Sequence, residues 1–442
     1  MYREKIEVLK RWKNGNRRKP LIIRGARQVG KTWLAKEFGQ TEYEKVAYIS
    51  FDNNSRMQNL FMGDVDVERL IQGFKAETNV DIKPGNTLIV LDEIQETPKA
   101  LTSLKYFYEN APEYHIIVAG SLLGIATHEQ VSFPVGKVDY IELYPLTFRE
   151  FLLALNEVQL VELMSKNIDY KLLSIFHDKF INHLKTYFYI GGMPEVVASY
   201  TANKSWNEAR DIQKKILYTY NEDFSKHVPQ NIVPRVRQVW KTIPAQLAKE
   251  NKKFIYNLIR EGARAKEYEL ALMWLEDAGL IHRLSRIETP RLPISSYADS
   301  NAFKIYHLDV GLLTAMTDLG TRTLLEKNDV FTEFKGALTE QFVLQELQNH
   351  SDISTCYWAK DGESRAEVEF VIQIADRIIP VEIKSGTNLR AKSLKVYTEK
   401  YRPQIAIRSS QADYKQTDNL YDVPLYLLCS FIKACEEERV KL

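Results

Sequence analysis

Residues Gly25-Ala26-Arg27-Gln28-Val29-Gly30-Lys31-Thr32 satisfy the pattern G-x-x-x-x-G-K-S/T at every fixed position. The glycines free the backbone to curl its N–H groups around phosphates, the lysine reaches the β and γ oxygens, and the hydroxyl is a ligand for Mg²⁺. The expected ATP-binding set is therefore Gly25, Gln28, Val29, Gly30, Lys31, Thr32 and Trp33, with Lys31 exposed in the loop. Thr32 is the first expected metal ligand.

A nucleotide-bound metal also needs an acid at the end of a neighbouring strand. Thr87-Leu88-Ile89-Val90-Leu91-Asp92-Glu93 supplies one. Asp92 is the expected second Mg²⁺ ligand, directly or through water, and Glu93 is placed to orient or deprotonate an attacking water, which favours hydrolysis over binding alone. The next strand ends Val118-Ala119-Gly120-Ser121, and Ser121 is a catalytic candidate for touching the γ-phosphate or the water; a helix cap is its alternative role. Lys137, Arg149 and Arg235 are equal candidates for a cationic finger.

A second group of acids lies in the last third of the chain. Glu340 falls on a helix pattern, Glu369 in the run Glu367-Val368-Glu369-Phe370-Val371-Ile372, and Glu382 and Lys384 close the run Val381-Glu382-Ile383-Lys384. Residues two apart on a strand share a face, so Glu382 and Lys384 are expected together. Joined by Glu369 from an adjacent strand and Glu340 from a packed helix, they form a set able to bind Mg²⁺ and activate water for phosphodiester cleavage.

These residues need scaffolds, and the hydrophobic pattern provides three textures. From Leu21 to about Leu143, short apolar runs alternate with helix-compatible stretches, which implies a parallel α/β sheet covered on both faces. From Phe148 to about Leu284, apolar residues recur at three- and four-residue spacing, so this part is helical. It ends with Tyr268, Leu272 and Leu275 on one helix face, then Gly279 and the strand-like Leu280–Leu284, the order of a winged-helix module or of a helical lid that ends in a hairpin. The stretch holding Pro290, Pro293, Ser295 and Ser296 reads as a linker, and strand runs at Thr355–Trp358, Glu367–Ile374 and Ile378–Ile383 follow a helix pattern at Phe334–Leu347. The expected domains are 1–147, 148–290 and 291–442. The fold class is α/β: a P-loop NTPase parallel sheet, a helical and winged-helix middle, and a C-terminal α/β unit.

Composition sets the outer bounds. With 442 residues, 45% hydrophobic and 27% charged, the chain folds throughout and holds more than one core. Sixty basic against 58 acidic residues leave only local charge to speak for a nucleic-acid partner. The stretch Lys384–Arg402 holds six basic residues against Glu399 alone, enough to track phosphates. The three cysteines make neither a disulfide framework nor a zinc spacing, and no run reaches the roughly 18 apolar residues of a membrane span. A cytoplasmic protein without membrane contact is expected.

The opening Met1-Tyr2-Arg3, the segment Arg18–Thr32, Leu143-Tyr144-Pro145-Leu146-Thr147-Phe148-Arg149-Glu150-Phe151, Ile190-Gly191-Gly192-Met193-Pro194-Glu195 and Leu308-Asp309-Val310-Gly311-Leu312-Leu313 together resemble the prokaryotic AAA-type ATPases that carry a C-terminal domain of unknown function. Gly136-Lys137 departs from that resemblance, since many relatives have Gly-Arg there. The C-terminal domain of that family is similar to the PD-(D/E)XK nuclease-like fold. On that resemblance Glu369 takes the first acidic slot, usually Asp, and Glu382 and Lys384 match the E-x-K element. The expectation is an ATP-hydrolysing protein, with ATP and Mg²⁺ as cofactors, in which nucleotide state positions the C-terminal parts. Its alternatives are an ATP-gated metal-dependent nuclease acting on DNA or RNA, and a nucleotide switch or scaffold for a protein partner or homo-oligomer.

Overall fold

The computed structural model describes residues 1–63, 65–120, 134–165, 168–249, 252–321, 332–350, 353–360, 366–387 and 392–437. They form two compact units: Tyr2–Tyr144 with Asp277–Gly279, and Pro145–Glu276 with Leu280–Leu442 and Met1.

The first unit is an α/β P-loop NTPase fold. Strands β1 (Leu21–Arg24), β2 (Lys45–Ser50), β3 (Thr87–Asp92), β4 (His115–Ala119) and β5 (Asp139–Glu142) make a five-stranded sheet in the order β2-β3-β4-β1-β5. All four pairings are parallel. Every residue of β3 and β4 is buried, as predominantly apolar runs covered by helices on both faces are. Helices α1 (Lys5–Lys13), α2 (Lys31–Glu42), α3 (Ser55–Leu60), α4 (Val67–Thr78) and α5 (Pro98–Asn110) supply the cover. α4 shows why these segments are helical: Asp66 caps its start by accepting from Arg69 N–H at 2.9 Å, Leu70, Ile71 and Phe74 form its buried stripe, and left-handed Asn79 ends it. Because the strands are parallel, β1, β3 and β4 all end at one edge. β4 lies between the loop-bearing β1 and the acidic β3, with Ala119 in register with Ile23 on one side and Asp92 on the other.

In the second unit, helices that include His177–Ile190, Trp206–His227, Val233–Leu247 and Ala265–Asp277 precede a mixed sheet. Its strands are β6 (Ile281–Ile287), β7 (Ala298–His307), β8 (Ser354–Ala359), β9 (Glu367–Ile374), β10 (Arg377–Ile383), β11 (Ala406–Ser410), β12 (Lys415–Thr417) and β13 (Leu420–Pro424), in the order β12-β13-β11-β10-β9-β8-β6-β7. The helix–glycine–strand order around Gly279 is present, but β6 pairs with β8 as well as β7, so that hairpin is part of the larger sheet. The stretch read as a linker connects β6 to β7, and its Ile294 is fully buried and packed with Trp358 and Val368. Proline and serine there mark a turn between paired strands, a distinction local composition does not make.

Two motifs of the family resemblance acquire a structural reason. Asp309 is fully buried and accepts from Gly192 N–H at 2.7 Å, Leu312 N–H at 2.9 Å and Gln345 Nε2 at 3.1 Å. A Cβ on Gly191, whose φ is +72°, would stand 2.1 Å from Asp309 Oδ1, and one on Gly311 would stand 2.5 Å from the Ile190 carbonyl oxygen, so both positions exclude a side chain. Burial pushes the Asp309 carboxyl up to about 6, while the N–H donors hold it down. The same knot anchors the helix Thr332–Gln348: Gln341 bridges both backbone groups of His307, Gln345 accepts from Val310 N–H, and Glu346 accepts from Phe148 N–H. That helix carries Glu340.

Candidate functional site

The phosphate loop has the backbone its sequence requires. Gly25 (φ 137°), Gln28 (φ 66°) and Gly30 (φ 95°) take positive φ, and a Cβ on Gly25 would stand 2.1 Å from the Leu143 carbonyl oxygen. Gly30 caps α2, so that helix directs its N-terminal N–H groups into the loop. Val29 is fully buried, Gln28 faces solvent, and Trp33 is half-exposed on α2. Lys31 is not exposed as expected: it is 6% exposed, and its Nζ donates to the carbonyl oxygens of Gly25 (2.8 Å) and Ala26 (2.7 Å). Burial pulls the Lys31 ammonium down to about 8, and Glu93 and Asp92 oppose that shift.

The acidic strand end meets the loop. Thr32 Oγ1 donates to Asp92 Oδ2 at 2.9 Å, the Tyr48 hydroxyl on β2 donates to the same oxygen at 2.7 Å, and Asp92 Oδ1 accepts from Glu93 N–H at 3.1 Å. Burial pushes the Tyr48 phenol up and the bond to Asp92 adds to this, so Tyr48 is a donor at neutral pH. Glu93 has a left-handed backbone (φ 52°), its N–H donates to the Ala119 carbonyl at 2.9 Å, and its Oε2 accepts from Gln95 Nε2. A hydroxyl and a carboxylate in contact beside a phosphate-type loop are the oxygen set that Mg²⁺ takes, so these residues fit a nucleotide-bound Mg²⁺. Ser121 lies outside the described residues.

Sequence reading misses three residues here. Arg3 is buried; its guanidinium donates to the Val29 carbonyl at 2.9 Å and the Tyr144 carbonyl at 2.6 Å, fastening the loop to the chain after β5. Its place in the opening motif was visible, but its role was not. Tyr48 carries no signal beyond its strand position, and Gln95 only its nearness to Glu93. Of the finger candidates, Lys137 pairs with Glu109 at 2.9 Å, Arg149 is half-buried, and Arg235 is exposed on the helix Val233–Leu247.

In the second unit, the structure gathers Glu340, Glu369, Glu382 and Lys384 and adds residues that spacing did not indicate. The β9–β10 register pairs Phe370 with Val381, so the next pair sets Glu369 opposite Glu382. Lys384 Nζ donates to Glu382 at 2.5 Å, and Glu369 accepts from Ile383 N–H at 2.9 Å. Glu340 accepts from Lys252 at 2.6 Å and from the Tyr306 hydroxyl at 2.9 Å, and fully buried Lys304 bridges Glu367 (2.5 Å) and Glu340 (3.8 Å). Burial, then the neighbouring Glu382 and Glu340, hold Glu369 well above the usual carboxylate range. Burial also raises Glu382, whereas Lys252 and Lys304 outweigh burial at Glu340 and keep it low. Four carboxyls stand among three ammonium groups, and the excess of acid agrees with Glu369 being held high by burial and by its carboxylate neighbours. Among the described residues no three His, Cys, Asp or Glu are arranged to hold a metal ion, so in this arrangement the cluster does not fit one.

Three family models match successive parts of the chain. A family model described as an AAA domain matches residues 17–152, one described as a domain of unknown function (DUF8612) matches 181–323, and another so described (DUF4143) matches 335–428. The AAA match covers the loop, Asp92 and Glu93, so this part of the chain is similar to AAA domains. No curated protein matches the chain. Among solved structures, the Walker-type ATPase PABY2304 of Pyrococcus abyssi is 16% identical over 72% of this chain and 95% of its own, with a TM-score of 0.42. The Aeropyrum pernix ORC1 protein in complex with DNA is 13% identical over 71% and 90%, with a TM-score of 0.27. The Thermotoga maritima RuvB Holliday junction branch migration motor is 14% identical over 65% and 88%, with a TM-score of 0.29. None of the described helices is long and apolar enough to cross a membrane.

Proposed function

We propose that the chain binds Mg·ATP at the loop Gly25–Thr32 and hydrolyses it, and that nucleotide state positions its C-terminal parts. The observation that carries this reading is the contact of Thr32 with Asp92 beside the glycine-framed loop and its buried Lys31. Gly25, Gln28, Val29, Gly30 and Trp33 complete the nucleotide site, with the loop N–H groups and the Lys31 ammonium meeting phosphate oxygens. Thr32 and Asp92 would hold Mg²⁺, which supplies charge neutralisation at the phosphates. Glu93, held by Gln95, orients and deprotonates the water, and Ser121 is the further candidate for contact with the γ-phosphate. Calorimetry and phosphate release on Lys31→Ala and Glu93→Gln test this. Lys31→Ala should abolish binding; Glu93→Gln should retain it and slow turnover by roughly 10²-fold, as expected when a general base is lost. Undiminished phosphate release from Glu93→Gln would move the water-positioning role elsewhere.

A second reading concerns the last domain as a nuclease-like module for DNA or RNA. It is supported by Glu369 facing Glu382 with Lys384 on the same side, and by the basic helix Lys392–Tyr401 nearby in sequence. Cleavage would require Lys252 and Lys304 to release Glu340 and Glu367, since a metal and an ammonium cannot share those oxygens. Mg²⁺- or Mn²⁺-dependent nicking that Glu382→Ala removes would establish cutting. Binding without nicking would leave a module that only holds nucleic acid, and neither would favour a protein partner.

A further inference from the structure

Asp92 is held by more than the loop it serves. A carboxylate offers about four lone-pair positions. Oδ2 receives two hydroxyls, Thr32 at 2.9 Å and Tyr48 at 2.7 Å, and Oδ1 receives the Glu93 N–H at 3.1 Å. Among the described residues one acceptor position is left, on Oδ1. The Thr32 proton points at Asp92, so its own lone pairs remain available to a cation. The Tyr48 hydroxyl also takes a hydrogen bond from Ser50, and its ring is held by Lys36, whose Nζ stands 3.5 Å from the ring centroid. Lys36 lies one turn after Thr32 on α2, so α2 contributes two members of the arrangement and β2 and β3 one each.

We propose that Tyr48 is a positioning residue for the nucleotide-bound metal, restricting Asp92 to a single open lone pair and thereby fixing the direction from which the carboxylate meets the metal or its water. This rests on the Mg·ATP reading above. Groups that orient a metal-holding carboxylate in this way change metal affinity by about 10-fold to 100-fold when removed. The phenol ring alone would not do so, which separates positioning from packing.

Calorimetry of a non-hydrolysable ATP analogue, with EDTA and across a Mg²⁺ series, tests the proposal without turnover. Tyr48→Phe keeps the ring and removes the donor. It should raise the Mg²⁺ concentration needed for half of the metal-dependent gain in affinity by about 10-fold and leave the affinity in EDTA unchanged. Lys36→Met, which frees the ring but keeps the hydroxyl, should move the Mg²⁺ requirement in the same direction by about 2-fold to 5-fold. An unchanged Mg²⁺ requirement in Tyr48→Phe overturns the proposal, as does an equal loss of affinity with and without metal, the mark of a purely structural role. Failure of the unsubstituted protein to bind the analogue would overturn the Mg·ATP reading itself, a result seen before any substitution is made.

Discussion

Gln95 donates its side-chain amide to the carboxylate of Glu93, two residues earlier, and Glu93 holds a left-handed backbone while making that contact. The other end of the amide, Gln95 Oε1, is buried without a hydrogen-bond partner among the described residues. A glutamine held only by Glu93 serves to aim Glu93. Gln95→Ala should therefore lower ATP turnover by about 10-fold, less than the loss of the base itself, with ATP affinity unchanged. Phosphate release beside calorimetry checks it, and an equal fall in both quantities would assign Gln95 to the fold.

The Lys31 ammonium titrates near 8 because it is buried. Its cationic form is the one that phosphates attract, so raising the pH through 8 should weaken ATP binding by the protein. Affinity measured from pH 7 to pH 9 reads the sign directly, and a gain in affinity across this range would contradict the assignment.

Arg3 spans two carbonyls 115 residues apart in the chain, those of Val29 and Tyr144. Arg3→Ala leaves both without this donor, and hydrogen bonds from a charged group contribute about 1.5–3 kcal/mol each to stability when buried. The expected result is a lower unfolding midpoint together with weaker ATP binding. Arg3→Lys should restore little, because an ammonium lacks the fork that bridges both oxygens.

Lys304 is fully buried between Glu340 and Glu367. Against burial, Glu340 and Glu367 hold it above the usual lysine range. Lys304→Met should cost about 3–5 kcal/mol by leaving buried carboxylates unpaired, as removal of one partner of a buried pair does. Adding Glu367→Gln should recover part of that loss. Denaturant unfolding of the two single variants and the double variant measures the coupling, and strict additivity would mean that Lys304 and Glu367 do not interact.

The glycine-framed loop and the acidic strand end were legible because their information is contiguous. Eight consecutive residues carry the loop, their glycines permit the positive φ at Gly25 and Gly30, and six buried residues ending in Asp92 announce the acidic strand. Strand runs at Glu367–Ile374 and Ile378–Ile383 were likewise readable from their apolar patterns, and alternation placed Glu382 and Lys384 together. What alternation cannot name is the partner across a gap. Lys31 became buried, Tyr48 reached Asp92, and Arg3 reached Val29 because elements distant in sequence pack at one sheet edge. Lys252 and Lys304 entered the acidic cluster from a loop and a strand whose local sequence gives no sign of it. A segment's own residues determine its backbone and its buried face through sterics and the hydrophobic period; which polar group meets which is decided by desolvation, because a buried charge must find a counter-charge wherever the packed chain brings one.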